Sequence, residues 1–203
     1  MPYEDIIRDQ FRSSAATIEA SLKACTAPLA GAIEKSIEVV GGGGTLFFAG
    51  NGGSAADANH IASELVGAFE ECAAPLPAIS FTTDVPTLTS VANDFSFERV
   101  FLQQVRALMR PGDQLWAIST SGESMNLFHA VAWARERGIS TVGLLGRDGG
   151  RIAAQVDFPI VVPGDNTQRI QEVHILLLHI LASALKRRFP EGVRLSDKER
   201  TAI

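Results

Sequence analysis

His60 and Glu64 stand four residues apart in the run NHIASEL, a spacing that sends an imidazole and a carboxylate out from one face of a helix. Such a pair suits a zinc-type ion, which takes nitrogen and oxygen ligands, or a proton-transfer couple; a plain surface His–Glu pair is the alternative. A second set lies in RIQEVHILLLHIL, where Gln171, Glu172, His174 and His179 occur among leucines and isoleucines. Gln171 and His179 are eight residues apart, about 12 Å along a helix, so they share one ion only if it lies between them. A histidine embedded in apolar residues is also a common core residue. His129 carries no assigned role.

Two turns have the chemistry of a phosphate cradle. In AGNGGSAADANH, an apolar run meets Asn51, Gly52 and Gly53, and Ser54 opens a helical pattern. Glycines let the backbone approach an anion, and a helix N-terminus offers unpaired N–H groups with the positive end of a dipole. Ser54 as a simple N-cap is the competing reading. The second turn repeats the arrangement with Ser119, Thr120, Ser121, Gly122 and Ser124. No Lys or Arg lies between Pro111 and Trp133, so this cradle is uncharged. Its competing reading is a capping box at Ser121. A Walker motif is absent, and the spacing Gly50, Gly52, Gly53 with Asp84 too far on is a poor dinucleotide fingerprint.

Those residues need elements that bring them to one edge of a sheet. Five short apolar runs, TLFFA, AISF, LWAIS, TVGLL and FPIVV, begin at residues 45, 78, 115, 141 and 158. Helical patterns follow at about 54–69, 97–109, 124–137 and 167–188, which predicts a doubly wound α/β fold with a parallel sheet. Both cradles then fall at carboxyl ends of strands, where open α/β sheets bind ligands. Residues 3–40 read as two helices broken at Pro28, and Gly41–Gly44 ends the second. This segment and the last helix carry more apolar residues than a five-stranded sheet needs for cover, which predicts an oligomer interface. Lys186, Arg187 and Arg188 read as complements to a helix C-terminus.

The bulk numbers exclude several classes. With 203 residues, 46% hydrophobic, one domain is expected. A net charge of −5 with scattered Lys and Arg gives no nucleic-acid footprint. The N-terminus lacks a basic, then apolar, signal and no apolar stretch of spanning length follows, so a cytoplasmic protein that does not span a membrane is expected. Cys25 and Cys72 form neither a disulfide framework nor a thiolate zinc motif.

Taken together, GNGGSAADANHIASEL, ANDFSF, ISTSGES, GRDGG and RIQEVHILLLHIL resemble the phosphoheptose isomerases of the sugar isomerase (SIS) family, over residues 3 to 188. The resemblance implies a single five-stranded flavodoxin-like SIS domain over 1–188, a polar tail over 189–203, and isomerisation of sedoheptulose 7-phosphate. It also implies a homotetramer with active sites at subunit interfaces and one zinc ion per subunit. By motif, His60, Glu64, Gln171 and His179 correspond to the metal site. Asn51, Gly52, Gly53, Ser54, Glu64, Asn93, Asp94, Ser119, Thr120, Ser121, Ser124 and Gln171 correspond to the substrate site. The expected chemistry has Glu64 as base and His179 as acid around an enediol. Two positions depart from the family: Ala68 replaces a usual arginine, and Glu123 a usual asparagine, either of which bears on the sugar accepted. A non-catalytic SIS module of the initiator-associating type is the rival class, but such proteins tend to lose the His and Glu set kept here.

Overall fold

The computed structural model describes residues 3–72 and 74–193; the last ten residues of the expected tail lie outside the described residues. Helix α1 (Tyr3–Gly41) precedes β1 (Leu46–Gly50), α2 (Gly53–Val66), β2 (Ala78–Ser80) and α3 (Val85–Asp94). A 3-10 turn (Phe97–Arg99) leads into α4 (Val100–Leu108), β3 (Gln114–Ser119), α5 (Met125–Glu136), β4 (Ser140–Gly146), α6 (Gly150–Ala153), β5 (Phe158–Val162) and α7 (Thr167–Arg188). All five expected strands are present and every pairing is parallel, in the order β2-β1-β3-β4-β5. β1 and β3 are buried along their whole length, because helices cover both faces. One apolar layer packs α1, α2 and α7 against the sheet through Cys25, Leu29, Ile61, Leu65, Val173, Leu177 and Leu181. The other packs α3, α4, α5 and α6 through Val91, Phe101, Val105, Leu127, Val131 and Ile152.

The expected break at Pro28 is not there: α1 is one helix with Pro28 inside it. Proline costs the carbonyl four residues earlier its partner, but that residue, Ala24, is exposed and water can serve its carbonyl. Cys25 and Leu29, which flank the proline, are buried against the sheet side, and their burial keeps the helix running. Further on, the buried Ser36 hydroxyl donates to Gln114 Oε1 (2.6 Å), which also accepts from Trp116 Nε1 (3.0 Å). The N-terminal half of α1 is solvent-facing, with Phe11 75% and Leu22 71% exposed. Arg169 and Ser14 tie it to the start of α7: Arg169 Nη1 donates to the Gln10 carbonyl (2.8 Å) and Ser14 Oγ to Glu172 (2.8 Å). No described helix is long and apolar enough to cross a membrane.

The sequence gives no hint of α3, whose start at Val85-Pro86 is set by Asp84, which accepts from the Thr87 N–H (3.1 Å) as N-cap. The helix expected over 97–109 divides into the 3-10 turn and α4.

His174 belongs to the core. It is fully buried on α7, and its Nε2 donates to the Leu145 carbonyl of β4 (3.0 Å). Burial pushes its pKa down from the usual 6.5 to about 4, partly opposed by that hydrogen bond. Because the folded pKa lies below the unfolded one, the stability this neutral histidine contributes is complete above pH 6.5 and lost as pH falls towards 4. The limit is about 3 kcal/mol. Urea midpoints at pH 7 and pH 4.5 should therefore diverge more in the wild type than in His174→Gln, and equal divergence would refute the assignment.

Candidate active site

The sheet order reverses between β1 and β3, so the loops after these two strands flank the topological switch point. After β1, Asn51 leads to Gly52, which has φ 55 and is the N-cap of α2 without any side-chain cap. Ser54 is therefore not the cap; it lies inside α2 and is buried. After β3, α5 begins only at Met125, with Ser124 as N-cap and again no side-chain cap. The competing reading, a capping box at Ser121, is not what forms, since Ser121 Oγ accepts from the Glu123 N–H (3.2 Å) ahead of the N-cap Ser124. By contrast, Asp84 caps α3, and Asn166 accepts from the N–H groups of Gln168 and Arg169 at α7, while α4 and α6 start without a side-chain cap. The starts of α2 and α5, beside the switch point, carry no side-chain cap on their first N–H groups, an arrangement an anion can use.

The serine loop presents its hydroxyls together. Ser119 Oγ lies 3.2 Å from Ser124 Oγ and 3.5 Å from Ser121 Oγ, and accepts from the Gly122 N–H (3.1 Å). Gly122 has φ 68, and a Cβ there would fall 2.0 Å from the Gly149 carbonyl oxygen, so only glycine fits. Thr120 sits half-buried in the same turn. Asn126, which nothing in its sequence context marks, joins the loops: it and Asn51 exchange amide hydrogen bonds of 2.8 and 3.0 Å.

The imidazole–carboxylate pair is confirmed as a geometric unit and joined by a residue from α7. His60 Nε2 lies 2.8 Å from Glu64 Oε1, His179 Nε2 lies 3.3 Å from His60 Nε2 and 3.6 Å from Glu64 Oε1. Their ligating atoms all fall within 4.8 Å of one another. Ligands about 2.05 Å from a tetrahedral zinc ion stand roughly 3.3 Å apart, so these separations and this two-imidazole, one-carboxylate set fit such an ion. Glu64 Oε2 is buried with no hydrogen-bond partner, an orphan that a cation or a proton would satisfy.

Gln171 sits elsewhere on the same helix pair. Its Nε2 is 3.5 Å from Asp57 Oδ1, and its amide packs onto Gly53, one to two turns before His60 along α2. Asp57, which is not evident from sequence, is buried, and its Oδ2 has no partner. Burial raises its pKa, while Gln171 and the charge of His60 act the other way. Asn93 donates to Asp94 (2.8 Å) at the end of α3, and neither hydrogen-bonds to the loops or to the histidine cluster.

The sugar isomerase (SIS) domain family matches residues 10–146. A phosphoheptose isomerase of Geotalea daltonii is 47% identical over 182 residues, covering 90% of this chain and 95% of the relative. One from Aromatoleum aromaticum is 50% identical over 182 residues, covering 88% and 92%. The structure of phosphoheptose isomerase GmhA from Neisseria gonorrhoeae superposes with a TM-score of 0.86 at 40% identity, covering 91% of this chain and 99% of that one. The chain belongs to the phosphoheptose isomerase family.

Within that family frame, the two departures are structurally mild. Glu123 does not face the serine loop as a free anion: Arg151 Nε donates to Glu123 Oε2 (2.6 Å) and the Arg151 N–H to Oε1 (3.0 Å). Those hydrogen bonds hold its carboxyl below the usual range. Ala68 is exposed in the segment after α2 and brings no charge.

A phosphoheptose isomerase that depends on Gln171 should be sensitive at Gly53. A Cβ there falls 2.4 to 2.7 Å from the Gln171 amide atoms, which are the movable end of a side chain. Gly53→Ala should keep or slightly raise stability, by up to about 1 kcal/mol from helix propensity, while turnover falls about 10- to 100-fold. Urea melts with turnover assays test this, and unchanged turnover would show that the Gln171 position is dispensable.

Proposed function

We propose that this aldose–ketose isomerase converts sedoheptulose 7-phosphate to D-glycero-D-manno-heptose 7-phosphate, using His60, Glu64 and His179 as its reacting centre. The observation that carries the reading is the convergence of these three side chains, from helices more than a hundred residues apart, in a chain with two uncapped helix starts at the switch point. Asn51, Gly52, Gly53, Ser119, Thr120, Ser121 and Ser124 hold the phosphate end through N–H groups and hydroxyls. Asn93 and Asp94 complete the sugar site.

Glu64 removes a proton from C1 of the open-chain ketose, and the electron pair forms the C1–C2 double bond as O2 takes up a proton. His179 then delivers a proton to C2 while O1 loses its own, which leaves the aldose. His60, Glu64 and His179 are the residues that would hold one zinc ion per subunit, whereas Gln171, expected as a further ligand, packs against Gly53 and Asp57 instead. When bound, that ion supplies Lewis acidity to the carbonyl oxygen.

The active form in this reading is a cytoplasmic homotetramer with sites at subunit boundaries. The exposed apolar half of α1, with Leu176 and Ile180 of α7, supports an assembly surface. Residues 1–188 act as one SIS unit.

Turnover of the heptulose phosphate should vanish on chelation and return with zinc. Glu64→Gln and His179→Ala should each lower kcat by about 10² to 10⁴, the usual worth of a positioned acid or base. Wild-type rates in both variants would sink the scheme.

A further inference from the structure

His179 is held in an unusual way for a residue of its role. A metal-ligating or acid–base histidine is normally oriented by a hydrogen bond from its second ring nitrogen. His179 uses Nε2 towards His60 and Glu64, and its Nδ1 meets no hydrogen-bonding group among the described residues. What lies against the ring instead is Phe69, stacked at a centroid distance of 5.8 Å and an interplanar angle of 28°. The ring also meets His60, at 5.2 Å and 56°. Phe69 is thus the one flat face stacked on the imidazole among the described residues.

Phe69 is itself firmly placed. It opens a tight turn in which its N–H donates to the Cys72 carbonyl (3.0 Å) and Cys72 N–H donates back (3.1 Å). Glu70 inside that turn has φ 50, a conformation a non-glycine residue keeps only when its surroundings impose it. Those surroundings come from α7: Ser183 donates to the Glu70 carboxylate, and Arg187 pairs with it at 3.7 Å. Lys186, almost wholly buried, sends its Nζ to the carbonyls of both Gly67 and Ala74, each at 2.6 Å. The last two turns of α7 therefore grip the segment that leans back on His179 near the middle of the same helix.

We propose that Phe69 is the positioning residue of His179, fixing its ring plane so that Nε2 points at Glu64 and His60, and that Lys186, Ser183 and Arg187 hold Phe69 in place. This rests on the reading of His60, Glu64 and His179 as the reacting centre. Loss of the flat face frees the ring to rotate, which weakens whatever the three groups hold jointly. The phosphate loops, at the other end of α2, are untouched.

The test compares wild type, Phe69→Leu and Phe69→Tyr. Leucine fills much of the space without a flat face, and tyrosine restores the stack. Zinc affinity is measured by competition with a chromogenic chelator, and kcat and KM on sedoheptulose 7-phosphate, with melting temperature as the check on folding. Phe69→Leu should melt near wild type yet bind zinc about 10- to 100-fold more weakly, with kcat reduced and KM within about 3-fold. Phe69→Tyr should return zinc affinity to within about 3-fold of wild type. Wild-type zinc affinity and kcat in Phe69→Leu would overturn the inference alone. A wild type that neither binds zinc nor turns over would instead bring down the reading of the centre beneath it.

Discussion

The proposed reacting centre depends on α2 and α7 lying side by side. Both leave carboxyl ends of parallel strands, so both run in the same direction against the sheet, and residues early in one meet residues early in the other. Gly53 and Asp57 face Gln171, and one to two turns later His60 and Glu64 face His179. The contact is held by apolar residues that have no part in the chemistry: Ile61 and Leu65 on α2, and Val173, Leu177, Leu178 and Leu181 on α7. Each such side chain contributes about 1.5 to 3 kcal/mol on burial. That surplus offsets the cost of drawing a carboxylate and two imidazoles together with Glu64 Oε2 left unsatisfied.

The same division appears at the loops. The fold closes the starts of α3 and α7 with side-chain caps, while α2 and α5, beside the switch point, carry none. Open starts are a cost to a helix standing alone. Here they coincide with the one place where strand order reverses, and the Asn51–Asn126 amide pair braces them against each other.

How much of this could be read from the chain follows from the range of each interaction. The five strands were legible because burial on both faces leaves a continuous apolar run, and His60–Glu64 because four residues is one helical turn. Pro28 misled because its effect depends on whether the freed carbonyl meets water and whether its neighbours are buried, neither of which is local. α3 was hidden because Pro86 and the β-branched Val85, Thr87, Thr89 and Val91 argue against a helix that its Asp84 cap and tertiary position nonetheless support. Asp57 and Phe69 carried no signal, since each gains meaning only from a partner over a hundred residues away, Gln171 and His179. Glu123 read as an intruding charge because its counter-ion, Arg151, sits on a separate element.

An uncharged cradle in a chain of net charge −5 has a consequence for how an anion is caught. Long-range attraction cannot bring a phosphate ester in, and at physiological salt the Debye length of about 8 Å would screen it in any case. In the proposed reading, capture rests instead on donors that act only at contact: N–H groups at the two helix starts beside the switch point and the clustered hydroxyls of Ser119, Ser121 and Ser124. Such donors are pre-oriented by the backbone, so binding a phosphate costs them little reorganisation. They also demand the right geometry before they contribute, which makes recognition of the phosphate end a matter of fit between two braced loops rather than of charge. With the anion at the switch point, as proposed, the length of α2 would set how far along a bound chain the reacting centre acts.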